Sequence, residues 1–293
     1  MKKINLSAYA LMPLLLIFWG SFAAISKLIL SDMDSRQMQF WYFLTASVST
    51  TVYAFAKKKF AGFKKLSAND LRRLIFYALF LFLYYFLYIM ALDFIPSVEA
   101  SMINYMFPIF VVLLAVPINK EKLTAVKIIS SLICFSGVLV IVTNGDFINI
   151  KITNLKGDLL ALGAAVSWGL FSNFGKKNES DFFISNYVYI LTAFVLSAAA
   201  MLIFTGFYLP GPAGFLGCFW LGLSNLSLSF PIWFTLLKKS SVSTAANLSF
   251  FTPLVNLLFI SALTDERITY AALLGLALIT AGNVLQSLTS RAR

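Results

Sequence analysis

The chain has 293 residues, 60% of them apolar and 12% charged, with a formal net charge of +11, against roughly half apolar and a quarter charged in a soluble globular domain. So apolar a chain has too little polar surface to face water, and its apolar runs of about 20 residues recur from end to end, which makes lipid its solvent. The positive charge does not indicate nucleic acid, because the Lys and Arg residues lie between the apolar runs instead of along one amphipathic face interleaved with aromatics.

Apolar windows predict ten spans, near residues 8–30, 37–56, 71–92, 97–117, 124–143, 157–175, 183–206, 214–237, 242–263 and 268–288. Each is long enough to cross a hydrocarbon core of about 30 Å as a helix, the form in which a segment satisfies its own backbone where no water can. The expected fold class is therefore an all-α integral membrane protein. The first window continues to about residue 30, too long for the apolar core of a signal peptide. It is read as a span although Ser21-Phe22-Ala23-Ala24 mimics a cleavage site.

With the N-terminus in the cytoplasm, eighteen of the 23 basic residues fall inside: Lys2, Lys3, Lys57, Lys58, Lys59, Lys64, Lys65, Arg72, Arg73, Lys120, Lys122, Lys127, Lys176, Lys177, Lys238, Lys239, Arg291 and Arg293. Arg36, Lys151, Lys156 and Arg267 fall outside. This excess predicts a multi-pass protein of the cytoplasmic membrane with both termini cytoplasmic. Cys134 and Cys218 each lie inside an apolar run and read as small hydrophobes.

The sequence repeats. A shift of 145 residues places Pro108 on Pro253, Glu121 on Glu266, Thr124 on Thr269 and Gly137 on Gly282, and Trp19-Gly20 recurs as Trp168-Gly169 at a shift of 149. The halves are residues 1–145 and 146–293, five spans each. Five is odd, so the second half enters the membrane from the opposite side. The matching loops agree: Lys120-Glu121-Lys122 is net basic and Asp265-Glu266-Arg267 net acidic. Inverted repeats of this kind place a substrate site at the midplane, between halves that rock to give alternating access.

There is no histidine and no Gly-x-x-x-x-Gly-Lys loop. The chain also lacks metal-ligand spacing and a carboxylate cluster at membrane depth, so it is not read as an enzyme, no cofactor or metal is expected, and transport is secondary or facilitated. The expected partners are membrane lipid and a small-molecule substrate, with no nucleic acid. The chain is expected to work as a monomer, with a dimer as the alternative.

Trp19-Gly20, Ala91-Leu92, Asn104-Tyr105-Met106-Phe107-Pro108, Glu121 and Gly137 together resemble the drug/metabolite transporter superfamily in its duplicated EamA-type form of ten spans. The run from Glu99 to Pro108, preceded by Tyr84-Tyr85-Phe86-Leu87-Tyr88, is similar to the branch that exports aromatic amino acids, with Phe107 where that branch commonly has Trp. That resemblance implies a central cavity containing Tyr85, Tyr88, Tyr105, Phe107 and Trp168.

The residues support an aromatic pocket on their own terms. Tyr84 or Tyr85 shares a helix face with Tyr88, and Tyr105 with Pro108 can face the same way in the next span. Asn104 and Asn247 precede Pro108 and Pro253 by four and six residues, so each pairs an amide with backbone freed by proline, a polar spot for a carboxylate or amine. Pro108, Pro231 and Pro253 are hinge candidates, or simple kinks. Lys27 snorkels to the headgroups or meets a substrate carboxylate, and Glu99 caps its helix or handles charge. The resulting expectation is an exporter of small amphipathic metabolites, aromatic or other bulky amino acids first. The alternatives are broad drug/metabolite efflux and a membrane scaffold that transports nothing.

Overall fold

The computed structural model describes residues 10–30, 33–148, 153–263 and 269–291. Thirteen α-helices fill these residues, and no strand occurs among them. They are α1 (Met12–Ile29), α2 (Ser35–Ala56), α3 (Ala68–Leu92), α4 (Ser97–Asn104), α5 (Phe107–Asn119), α6 (Ala125–Val142) and α7 (Leu155–Lys177), followed by α8 (Phe182–Phe204), α9 (Pro212–Leu221), α10 (Ser229–Lys239), α11 (Val242–Ser249), α12 (Thr252–Leu263) and α13 (Tyr270–Arg291). Residues 264–268, with Glu266 and Arg267, lie outside the described residues, as does the side chain of Lys27.

Local chemistry starts and stops these helices. Asp34, Thr124, Asn154, Asp181 and Ser241 each offer a side-chain oxygen to a first-turn N–H, and Ser67 and Asp70 bond reciprocally at the start of α3. Lys120 ends α5 in the left-handed region at φ 55°.

Seven helical segments are long and apolar enough to cross a membrane: 68–92, 99–119, 125–142, 182–204, 212–239, 242–259 and 270–288. The segments α2 and α7 fall short of that measure. For α2 the reason is its buried polar content, which includes Gln37, Gln39, Thr45, Ser47 and Thr50; a helix surrounded by other helices need not be oily all round. Hydroxyls in this helix return to their own backbone, as Ser49 does to the Thr45 carbonyl at 2.7 Å. Large apolar side chains such as Phe55, Leu202 and Ile203 point outward instead, as helices facing lipid require.

In the bundle, α7 packs on α3 and α5, and α1 packs on α9, α10 and α12, while α2 lies against α8 and α6 against α13. The α6–α13 pair approaches through glycine. A Cβ on Gly137 would sit 2.6 Å from the Gly275 carbonyl oxygen, and one on Gly282 would sit 2.7 Å from that of Ser130. Both repeat-related glycines therefore serve one interface, where small residues let backbones touch. Cys134 and Cys218 are buried and form no disulfide.

Candidate functional site

The site begins with a pair of broken helices. One span is divided into α4, ending at Asn104, and α5, starting at Phe107 with Pro108 as its second residue. Proline has no N–H to give the Asn104 carbonyl four residues earlier, so the chain turns through Tyr105 and Met106. A second break separates α11, ending at Ser249, from α12, starting at Thr252 with Pro253 second. There the Thr252 hydroxyl donates to the Ser249 carbonyl at 2.7 Å, a bond the Phe107 side chain cannot make. Interrupted helices at membrane depth are tolerated only where protein or a cavity surrounds the freed backbone.

Pro231 acts differently: it follows a wide π-turn over Gly222–Leu228 that joins α9 to α10. A π-turn accommodates a residue that cannot complete the ordinary ladder. The turn presses on α2, where a Cβ on Gly222 would strike the Thr45 hydroxyl and the Tyr42 carbonyl.

Beside the first break, and joined by Phe107, lies a cluster of rings centred on Trp168. Its ring centroid is 5.5 Å from Trp19, 4.9 Å from Tyr84, 6.1 Å from Phe107, 6.1 Å from Phe230 and 6.4 Å from Trp233. Trp19 and Trp233 are 5.2 Å apart. These are separations at which aromatic pairs attract, by about 0.5–1.5 kcal/mol beyond their burial. Asn104 donates from Nδ2 to the Tyr84 hydroxyl at 3.4 Å, and the Tyr88 and Ser101 hydroxyls share a bond at 3.1 Å. Two buried polar atoms here have no protein partner: the Asn104 Oδ1 acceptor and the Trp168 Nε1 donor.

The expected residues separate into groups. Asn104, Phe107 and Trp168 are brought together, and Tyr88 bonds across to α4. Of the two candidate tyrosines, Tyr84 faces Trp168, whereas Tyr85 packs in an adjoining layer with Phe22, Tyr42 and Phe43. Tyr105 sits at the break itself, between the main core and a smaller group containing Cys134, Phe250 and Ile279. Asn247 stands apart: its Oδ1 accepts from Ser131 at 2.8 Å, its Nδ2 donates to Gln286, and its backbone carbonyl accepts from Asn283. With a protein partner at each end of its amide, Asn247 fastens α6, α11 and α13 together. Glu99 lies in the first turn of α4, yet its two oxygens accept from the Thr153 N–H and hydroxyl at 2.8 and 2.7 Å, tying α4 to the segment that leads into α7.

Phe230 and Trp233 belong to the ring cluster but were not singled out from sequence, and Trp19, also in the cluster, was named only for the repeat and the family resemblance. For Trp19 a signal existed, since its repeat partner is Trp168; for Phe230 and Trp233 nothing separates them from the other aromatics that make up 16% of the chain.

At one end of the bundle the Glu121 carboxylate accepts from Lys176 Nζ at 2.7 Å, from Lys127 Nζ at 3.5 Å and from the Val242 N–H, the first of α11, at 3.2 Å. Partial burial opposes the charged form, but the Lys176 bond and charge, the Val242 N–H and Lys127 outweigh it and hold the Glu121 carboxyl below its usual range. A polar hollow of about 400 Å³, lined by Asp70, Arg73, Tyr77 and Lys177 among others, opens where α3 begins and α7 ends. It is separate from the ring cluster.

An all-helical, multi-pass membrane protein with two proline-broken helices and a ring cluster beside one of them is the class this arrangement defines. The EamA-like transporter family matches residues 6–143 and 155–288; the chain belongs to that family and is a membrane transporter. It is 27% identical over 204 residues to the uncharacterized transporter YoaV of Bacillus subtilis, covering 68% of this chain and 69% of that one. To an uncharacterized transporter of Archaeoglobus fulgidus it is 24% identical over 288 residues, 95% of this chain and 96% of that one. The aromatic amino acid exporter YddG of Ancylobacter novellus is 24% identical over 218 residues, 72% of this chain and 74% of that one. A protein of known crystal structure shares the fold at a TM-score of 0.85 and 20% identity, over 97% of this chain and 98% of that one.

Proposed function

We propose that the chain is an exporter of small amphipathic metabolites, with aromatic or other bulky amino acids as leading substrates, working by alternating access between inverted repeats 1–145 and 146–293. Both termini are cytoplasmic in this reading. The observation that carries it is the pairing of an unsatisfied acceptor, Asn104 Oδ1, with an unsatisfied donor, Trp168 Nε1, among tilted and edge-to-face rings beside a broken helix. An orphaned buried group costs about 1–3 kcal/mol. A solute with an ammonium for Asn104, a carboxylate for Trp168 and a ring for the cluster recovers that cost. The relatives named aromatic amino acid exporter YddG, of Ancylobacter novellus and Salmonella typhimurium, agree with this substrate class.

The packing agrees with two equivalent halves. α7 against α3 and α5 is answered by α1 against α9, α10 and α12, as a two-fold exchange of halves requires. Broad metabolite efflux is the second reading, favoured by the many rings against so few polar anchors. Purified protein in liposomes, preloaded with unlabelled phenylalanine, separates the two in a counterflow assay. Faster uptake of labelled phenylalanine and tryptophan than of labelled alanine, lost in Trp168→Ala and weakened in Asn104→Leu, is the expected result. Counterflow of none of them, or equal counterflow of all three in wild type and Trp168→Ala, overturns the amino-acid reading.

A further inference from the structure

At the end of α2 the chain passes through Lys57, Lys58 and Lys59 into a 3₁₀ turn over Lys59–Lys65. Lys58 takes the left-handed region at φ 51°, which turns the backbone sharply away from the helix axis. The three lysines are exposed, and none of the ion pairs found among the described residues involves them. Residues 57–73 hold seven basic side chains and one acid, Asp70, which Arg73 and the Ser67 hydroxyl already occupy.

Aromatic packing pins this turn against the bundle. The Phe60 ring lies 4.7 Å from Phe55 and 5.8 Å from Phe63, and both Phe60 and Phe63 meet the edge of Tyr187 on α8, at 5.9 and 5.3 Å. Directly before the lysines, the last two turns of α2 expose Val52, Tyr53 and Phe55 at 62%, 50% and 70%. The surface therefore changes, within about two helical turns or roughly 10 Å, from an outward apolar wall to a cluster of exposed lysines carried on a packed turn.

We propose that this turn is a binding site for an anionic phospholipid, with the headgroup phosphate on Lys57, Lys58 and Lys59 and the acyl chains against Tyr53 and Phe55. Each half of the surface matches one half of that molecule. Lysine is a compact point charge suited to phosphate, and a basic cluster next to a spanning helix attracts anionic headgroups. A nucleic acid or acidic peptide would use the charge alone, whereas an anionic lipid meets the charge and the apolar wall in one molecule. The site is independent of which solute is transported.

The test uses the full chain, delipidated in neutral detergent and titrated with short-chain phosphatidylglycerol, phosphatidylcholine or glycerol phosphate, with adducts read by native mass spectrometry. Phosphatidylglycerol is expected to bind tightest. The Lys57→Gln/Lys58→Gln/Lys59→Gln variant is expected to lose roughly five-fold per lysine, on the order of 100-fold in all. A control, Lys120→Gln/Lys122→Gln/Lys239→Gln, removes the same charge elsewhere and keeps wild-type affinity. Equal binding of the two lipids, equal loss in the control, undiminished binding in the triple variant, or glycerol phosphate binding as tightly as the lipid each overturns the proposal. All six lysines are exposed, so both variants are expected to keep the wild-type Tm, and a variant that unfolds is replaced by Phe55→Ser, which removes apolar wall and weakens the lipid while leaving the charge intact.

Discussion

Replacing Glu121 by Gln removes one charge from the point where α5–α6, the end of α7 and the start of α11 meet. The carboxylate has 18% of its surface exposed and Lys176 has 19%, so solvent screens the pair only partly. A hydrogen bond to a charged group contributes about 1.5–3 kcal/mol, and the more distant Lys127 contact under about 0.5 kcal/mol. The Gln carbonyl can still accept from one donor, so the expected loss is about 2 kcal/mol at pH 7. The sign with pH follows from the lowered carboxyl pKa. The charge is stabilising above the ordinary carboxylate range, and that contribution is lost as pH falls through the still lower value in the folded chain. Thermal unfolding in detergent should therefore show Glu121→Gln melting below wild type at pH 7, with the two converging towards pH 3. Equal Tm values at pH 7, or a gap that stays constant on acidification, would refute the assignment. A Glu121→Lys/Lys176→Glu exchange should recover part of the loss in a double-mutant cycle.

Gly137→Val places side-chain atoms where the Gly275 backbone already sits and should cost about 3 kcal/mol or more, read as a lower Tm and lower yield. Trp168→Ala empties the centre of the ring cluster and should cost about 3–5 kcal/mol in stability along with transport. Asn247→Ala leaves Ser131 and Gln286 with a lost partner, so a loss of about 1–3 kcal/mol is expected, without any change in the ratio of aromatic to aliphatic counterflow. Tyr84→Phe removes the acceptor for Asn104 and should weaken substrate affinity a few-fold at a stability cost of about 1 kcal/mol.

Much of the architecture was legible because lipid imposes simple rules. The apolar windows locate every helical segment that is long and apolar enough to span, and Pro108 and Pro253, 145 residues apart, mark the two helix breaks. The polar helices were less clear: the Gln, Ser and Thr residues of α2 lower its hydropathy because neighbouring helices, not lipid, surround them. The sequence marks Pro231 as a hinge or a simple kink but not as the end of a π-helical segment, since a proline specifies a lost bond and not how the backbone absorbs it.

Composition, the repeat and the charge between apolar runs are properties of the chain itself, and through hydrophobic transfer and backbone satisfaction the apolar runs determine an all-helical membrane protein. Which tyrosine of Tyr84 and Tyr85 faces Trp168, that Asn104 keeps an open acceptor while Asn247 spends its amide on Ser131 and Gln286, and that Trp19 and Trp233 join one cluster were decided only by packing. The physical reason is that an aromatic or an amide carries the same local signal wherever it sits in an apolar helix. Its role depends on the side chains that reach it from segments as distant in sequence as α1 and α10.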